Sequence, residues 1–178
     1  MCQGCQNKVV ERAAYRVDHV GSFLRPKELV EAREKFSKGE LSQEELTKVE
    51  DKVITELVEK QIANGLKGVT DGEFRRAYWH LDFFWGLNGV EHVQGEKGYP
   101  FKGIETKPDT AKVSGKISGE NHPFVAHYKF LRDLVADKEG VTVKLTIPSP
   151  SQLYFELIRT EDHIKGYEKF YPTFEELK

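Results

Sequence analysis

Leu66-Lys67-Gly68-Val69-Thr70-Asp71-Gly72-Glu73 passes from a short apolar, β-branched run directly into two acids around a glycine. It reads as a strand that delivers Asp71, Gly72 and Glu73 at its carboxyl end. Two other stretches share this grammar. Tyr15 to Pro26 is a strand-like run broken at Gly21, and Val141-Thr142-Val143-Lys144-Leu145-Thr146-Ile147 alternates with period two before Pro148-Ser149-Pro150. Helical segments lie between them. Pro26 suits the first turn of a helix in which Leu29, Ala32 and Phe36 recur until Gly39. Ser42-Gln43-Glu44-Glu45 is a capping box, in which hydroxyl and carboxylate each satisfy a backbone N–H. The long helix it opens keeps Leu46, Val49, Val53, Leu57 and Ile62 on one face up to Asn64-Gly65, a left-handed cap. Asn121 is the expected cap of a helix with Pro123 in its first turn and Phe124, Tyr128, Leu131 and Val135 inward; another helix is expected from about Ser151 to Arg159. Residues 86–119, with many Gly, Lys and Thr and weak alternation, predict an excursion with an irregular hairpin.

Strand, helix, strand, excursion, helix, strand, helix is the order of an α/β protein with parallel strands. The polar strand ends favour a (β/α)8 barrel of the TIM type over a doubly wound sheet, because the loops after barrel strands converge on one mouth. No GxGxxG follows a strand and no GxxxxGK[ST] occurs, so the common nucleotide-binding folds lose their main support. The barrel is expected to be incomplete in this chain: three strands are legible, where a barrel of about 250 residues has eight. Thr173-Phe174-Glu175-Glu176 also announces a helix just before Lys178, so the chain reads as a truncated one. The expected organisation is a flexible tail over residues 1–14 and the N-terminal part of a barrel over residues 15–178.

Composition narrows the partners. The chain has 178 residues, 38% of them hydrophobic, enough for a sizeable core, and 27 Lys and Arg nearly balance 29 Asp and Glu. A net charge of -2 points neither to nucleic acid nor to an anionic membrane. No apolar run approaches the roughly 20 residues of a membrane span and the first residues lack a secretory signal, so a cytoplasmic protein is expected. Cys2 and Cys5 form one CxxC, where a bridge would close almost no loop and no second ligand pair follows nearby. They read as part of the tail, their role open.

The strand ends resemble the catalytic barrel of the cobalamin-independent methionine synthase family, including its short single-barrel type. His19-Val20-Gly21-Ser22-Phe23 resembles that family's opening IGSF strand, Asp71-Gly72-Glu73-Phe74-Arg75-Arg76 its GEFxR segment, and Val143 to Pro150, more loosely, its strand ending in TGP. The likeness runs from roughly Tyr15 to the end of the chain. It implies methyl transfer from a methyl-folate-type donor to homocysteine, whose thiol is held by zinc as the thiolate, giving methionine. A free thiol is mostly protonated near neutral pH, and metal coordination removes that proton. The resemblance further implies that Val20, Gly21 and Ser22 hold the homocysteine carboxylate through backbone and hydroxyl. It implies that Glu73 meets the substrate ammonium through a charge-assisted hydrogen bond. Tyr154 falls where larger members carry a Trp that contacts the folate, which makes it the candidate contact to the methyl donor. The family's zinc ligands, a His and a Cys close together, then a Glu and a second Cys, have no counterparts here and are expected beyond Lys178. His19, His80, His92, His122, His127 and His163 show no HxxxH spacing.

Other readings stand beside this one. The chain is alternatively a non-catalytic barrel segment that needs its missing half and self-associates through unpaired strand edges. A carboxylate-based hydrolase on the same fold would use Asp71 and Glu73 as acid and base. Ser22 is a helix-cap candidate, His19 a core histidine, and the aromatic cluster Phe74, Tyr78, Trp79, Phe83, Phe84 and Trp85 reads as core before pterin wall. Arg25 and Arg76 read first as surface ion-pair partners and second as receptors for a substrate carboxylate or a folate tail.

Overall fold

Gly68 and Val69, in the middle of the run 66–70, are buried, and Val69 belongs to one of two hydrophobic clusters. The computed structural model describes residues 17–96, 98, 99, 101–103 and 106–177. The tail expected over residues 1–14, with Cys2 and Cys5, lies outside the described residues, as do Tyr15 and Arg16. In chain order the elements are α1 (Lys27–Ser37), α2 (Gln43–Ala63), β1 (Gly68–Val69), α3 (Leu81–Trp85), β2 (Asn88–Gln94), β3 (Asp109–Ser118), α4 (Pro123–Leu134), β4 (Thr142–Val143), α5 (Pro150–Leu157), α6 (Glu161–Glu168) and α7 (Phe174–Leu177).

Two hydrophobic clusters organise these elements. Leu29 of α1, Val53, Ile54 and Val58 of α2, Val69 of β1, Phe74, and Leu131 of α4 form the first, joined by Val135. Burying each such side chain contributes roughly 1.5–3 kcal/mol. Leu81 and Phe84 of α3, Val90 of β2 and Ala111 of β3 form the second, so two members of the aromatic stretch, Phe74 and Phe84, are core. The expected capping box is present: the Glu45 N–H donates to Ser42 Oγ at 3.3 Å, and the Ser42 N–H donates to Glu45 Oε2 at 2.8 Å.

β1 pairs with β4 in parallel, Gly68 opposite Thr142 and Val69 opposite Val143. β2 and β3 form the expected irregular antiparallel hairpin, its register shifting between Asn88 and Val90. Gly89 sits at that shift with φ +75, where a Cβ would run into the Lys116 carbonyl. The fold is therefore mixed α/β, and among the described residues each sheet stops at two strands.

Several elements differ from their sequence patterns. Val17 to Val20 adopt no strand; the segment docks instead through a Phe23 N–H bond to the Gly72 carbonyl and through the Lys144 ammonium to Asp18 and the His19 carbonyl. The long alternating run 141–147 pairs only at Thr142 and Val143, opposite the two residues of β1, and further along it the Thr146 carbonyl accepts from the Arg76 guanidinium. Asn121 does not cap α4. It takes a left-handed turn (φ 59), and His122 caps instead, its Nδ1 accepting from the Phe124 N–H. Tyr128 faces outward, 41% exposed. Thr160 caps α6, an element for which the periodicity had no reading.

Candidate functional site

Glu73 reaches its position through backbone geometry set just after β1. The Gln61 side chain of α2 brackets Thr70, accepting from its N–H at 3.0 Å and donating to its carbonyl at 2.8 Å. Asp71 then accepts the Glu73 N–H at 2.9 Å, closing an Asx-type turn. Gly72 turns at φ +65, where a Cβ would collide with Leu57, and Glu73 follows in the left-handed region at φ 58. A non-glycine residue there costs of the order of 1–3 kcal/mol and persists only where surrounding contacts over-determine it. Those contacts are visible. Glu73 Oε1 accepts from the Thr146 hydroxyl at 2.9 Å and lies 3.6 Å from the Arg76 guanidinium. Arg76, 2% exposed, also donates to the Thr146 carbonyl at 2.8 Å and lies over the Phe124 ring at 4.5 Å. Arg25 closes the arrangement from the N-terminal segment, donating to the Glu73 carbonyl at 3.2 Å and the Arg76 carbonyl at 2.7 Å.

This construction forms one wall of a cleft of about 540 Å³. Val20, Gly21 and Ser22 line it from the N-terminal segment, and Glu73 lines it from the turn after β1. The four residues that the resemblance assigns to homocysteine thus share one cavity. Thr146, Trp79 and Arg25 line it as well. Trp79 is half-exposed there, unlike the buried Phe74 and Phe84 of the same aromatic stretch. Tyr154 does not line the cleft; its ring lies on α5 against Phe155 and Phe174. His19, near the cleft, stacks on Phe23 with ring centroids 3.8 Å apart and bonds the Gly21 carbonyl.

Electrostatics divides the two acids of the turn. Asp71 is pushed above the usual carboxylate range by burial, its Oδ2 has no hydrogen-bond partner, and it does not line the cleft. Only Glu73 of the pair presents a carboxylate to that space. His127 on α4 is pushed down to about 4, first by burial and then by the neighbouring Arg75 and Arg76. Thr146 was not legible as part of this site, because it reaches Glu73 across 73 residues of sequence; Arg76, read in the sequence first as a surface ion-pair partner and second as a carboxylate receptor, is instead buried between Glu73 and the Thr146 carbonyl.

A second polar centre lies between the hairpin and α5. Glu156, 1% exposed, accepts from the Tyr99 hydroxyl at 3.0 Å, the Thr110 hydroxyl at 2.9 Å and Arg159 at 2.7 Å. Because Tyr99 donates to Glu156, His80 Nε2 carries the proton in its 2.8 Å bond to the Tyr99 oxygen, leaving His80 Nδ1 buried without a partner. This network holds α5 to the hairpin. Among the described residues, no group of three or more His, Cys, Asp or Glu side chains is gathered to hold a metal ion, and no helix is long and apolar enough to cross a membrane.

No family model matches the chain. It is 44% identical over 152 residues to the uncharacterized protein YxjH of Bacillus subtilis (strain 168), covering 85% of this chain and 40% of that protein. It is 41% identical over 156 residues to the uncharacterized protein YxjG of the same bacterium, covering 88% and 40%. The chain therefore spans about 40% of the length of these curated relatives. Among solved structures it is similar to a Listeria monocytogenes protein provisionally named a vitamin-B12-independent methionine synthase, with a TM-score of 0.63 and 37% identity over 90% of this chain and 48% of that one. A B12-independent methionine synthase of Shewanella sp. W3-18-1, solved with selenomethionine, shares the fold at a TM-score of 0.50 and 24% identity over 66% of this chain and 33% of that one.

Proposed function

We propose that this chain is the amino-acid-binding portion of a methyltransferase of the cobalamin-independent methionine synthase type, built on the N-terminal strands of a TIM-type barrel. The whole protein would move a methyl group from a methyl-folate-type donor to the thiol of homocysteine. The observation that carries this reading is the meeting of Val20, Gly21 and Ser22 with Glu73 on one cleft. The likeness to the Listeria protein, provisionally named a vitamin-B12-independent methionine synthase, supports it.

The chemistry of the cleft suits a zwitterion. Thr146 and Arg76 engage Oε1 of Glu73, which orients the carboxylate and leaves Oε2 to accept from a substrate ammonium. Ser22 offers a hydroxyl donor to the carboxylate end. Trp79 and Ile147 supply apolar surface for the aliphatic and sulfur-bearing end. Held at both charged ends, the amino acid has one direction left for its thiol, and that positioning is the catalytic contribution assigned to these residues. Zinc, which the family resemblance implies as activator of the thiol, finds no ligand set among the described residues. Tyr154, as a contact to the methyl donor, would act outside this cleft.

Calorimetric titration of L-homocysteine into the wild-type chain and Glu73→Gln tests the reading. A hydrogen bond to a charged group contributes about 1.5–3 kcal/mol, so the variant should bind about 10- to 100-fold more weakly. Equal affinity in both would remove Glu73 from the site, and no binding to wild type would reject the reading. Hydrolysis of a glycoside by the chain would favour the carboxylate-pair alternative.

A further inference from the structure

Of the two charged residues that line the cleft, Glu73 and Arg25, the amino-acid reading gives a ligand only to Glu73. Every other arginine near the cleft has a carboxylate: Arg76 lies 3.6 Å from Glu73, Arg33 lies 3.1 Å from Glu50, and Arg75 pairs with Glu50 and Asp51. Among the described residues no carboxylate pairs with Arg25. It is not loose, however. One of its terminal nitrogens is fixed by the carbonyls of Glu73 and Arg76, two neutral acceptors that hold the guanidinium in place without neutralising it. An anchored, uncompensated guanidinium lining a cavity, with a serine hydroxyl beside it, is a receptor for a planar anion. The charge balance agrees. Glu73 and Arg76 offset one another, so the cleft as built carries the unit positive charge of Arg25, and a zwitterion bound through Glu73 alone would leave that charge unpaired.

We propose, resting on the amino-acid reading above, that Arg25 is the carboxylate receptor of the cleft and sets its preference for carboxylate-bearing ligands. The guanidinium takes the carboxylate through its remaining N–H donors, Ser22 adds a hydroxyl, and Glu73 takes the ammonium on the opposite side. A carboxylate reaching this cleft comes either from the amino acid itself or from the glutamyl tail of a methyl-folate-type donor, and the two sources are separable.

The experiment compares the 178-residue chain with Arg25→Met and Arg25→Lys, using three ligands in calorimetric titrations. They are L-homocysteine, its decarboxylated analogue 3-aminopropane-1-thiol, and p-aminobenzoylglutamate, which carries the tail carboxylates alone. Wild type should prefer homocysteine over the decarboxylated amine by about 10- to 100-fold. In Arg25→Met that preference should fall to near unity; loss of the Arg25 hydrogen bonds to the Glu73 and Arg76 carbonyls would weaken both ligands alike and leave the ratio as the readout of the carboxylate contact. Arg25→Lys should restore part of the preference. A full preference retained in Arg25→Met overturns the assignment and leaves the amino-acid reading standing. If wild type binds no homocysteine, the amino-acid reading fails. Binding of p-aminobenzoylglutamate that is lost in Arg25→Met would then still support Arg25 as carboxylate receptor, with the donor tail as source. Binding of neither carboxylate would overturn both.

Discussion

Glu73 shows how a single residue joins strain to chemistry. Its left-handed backbone follows Gly72, which is required by its own positive φ, and the cost of a side chain there is offset by the Asp71 turn and by Thr146, Arg76 and Arg25. Burial, and after it the neighbouring Arg75 and Arg76, act on His127. Its ring is held neutral in the folded protein, at about 4 against an ordinary 6.5, while the unfolded chain takes up the proton first as pH falls. The sign follows: the stability that His127 contributes is complete above 6.5 and is lost as pH falls from 6.5 toward 4. Urea unfolding of wild type and His127→Gln across this window should show a smaller acid-side loss of stability in the variant. Parallel curves would mean that the ring is not held neutral.

At the scale of elements, caps and side-chain brackets decide where helices begin and strands end. α2 starts at a reciprocal Ser42–Glu45 box, legible from four letters because every partner is local. Ser42→Ala should cost about 1 kcal/mol of unfolding free energy, read as a lower urea midpoint at unchanged slope. α4 shows the contrast. Asn121 is the better cap by residue type, yet His122 takes the role because its Nε2 donates to the Phe83 carbonyl at 2.8 Å, which leaves Nδ1 as the acceptor for the Phe124 N–H. That bond crosses 39 residues, and no local pattern carries it. The strand run 141–147 behaves likewise: alternation marked its position, but its paired length depended on what lay beside it.

Across the whole molecule, Glu50 is the tie between segments. Buried on α2, it meets Arg33 of α1 at 3.1 Å and Arg75 of the segment after β1 at 3.2 Å. Burial pushes its carboxyl above the usual range, against the pull of both arginines. Removing it leaves Arg33 without a carboxylate and Arg75 with Asp51 alone, so Glu50→Ala should destabilise the fold by about 3 kcal/mol, whereas removing exposed Lys52 should leave the urea midpoint within error. Such ties explain the division between what the amino-acid order carried and what folding added. By itself the sequence determined the cap of α2, the acidic turn after β1, the irregular hairpin and the choice of Ser22 and Glu73 as candidates, since each depends on neighbours within a few residues or on a motif. Tertiary structure alone decided that the strands are short, that Tyr154 stands apart from the cleft, and that Thr146, Arg76 and Arg25 converge on Glu73. Arg25 and Thr146 reach Glu73 through hydrogen bonds spanning 48 and 73 residues, and Tyr154 is held by ring contacts that include Phe174, 20 residues on; only the folded chain brings these partners within reach.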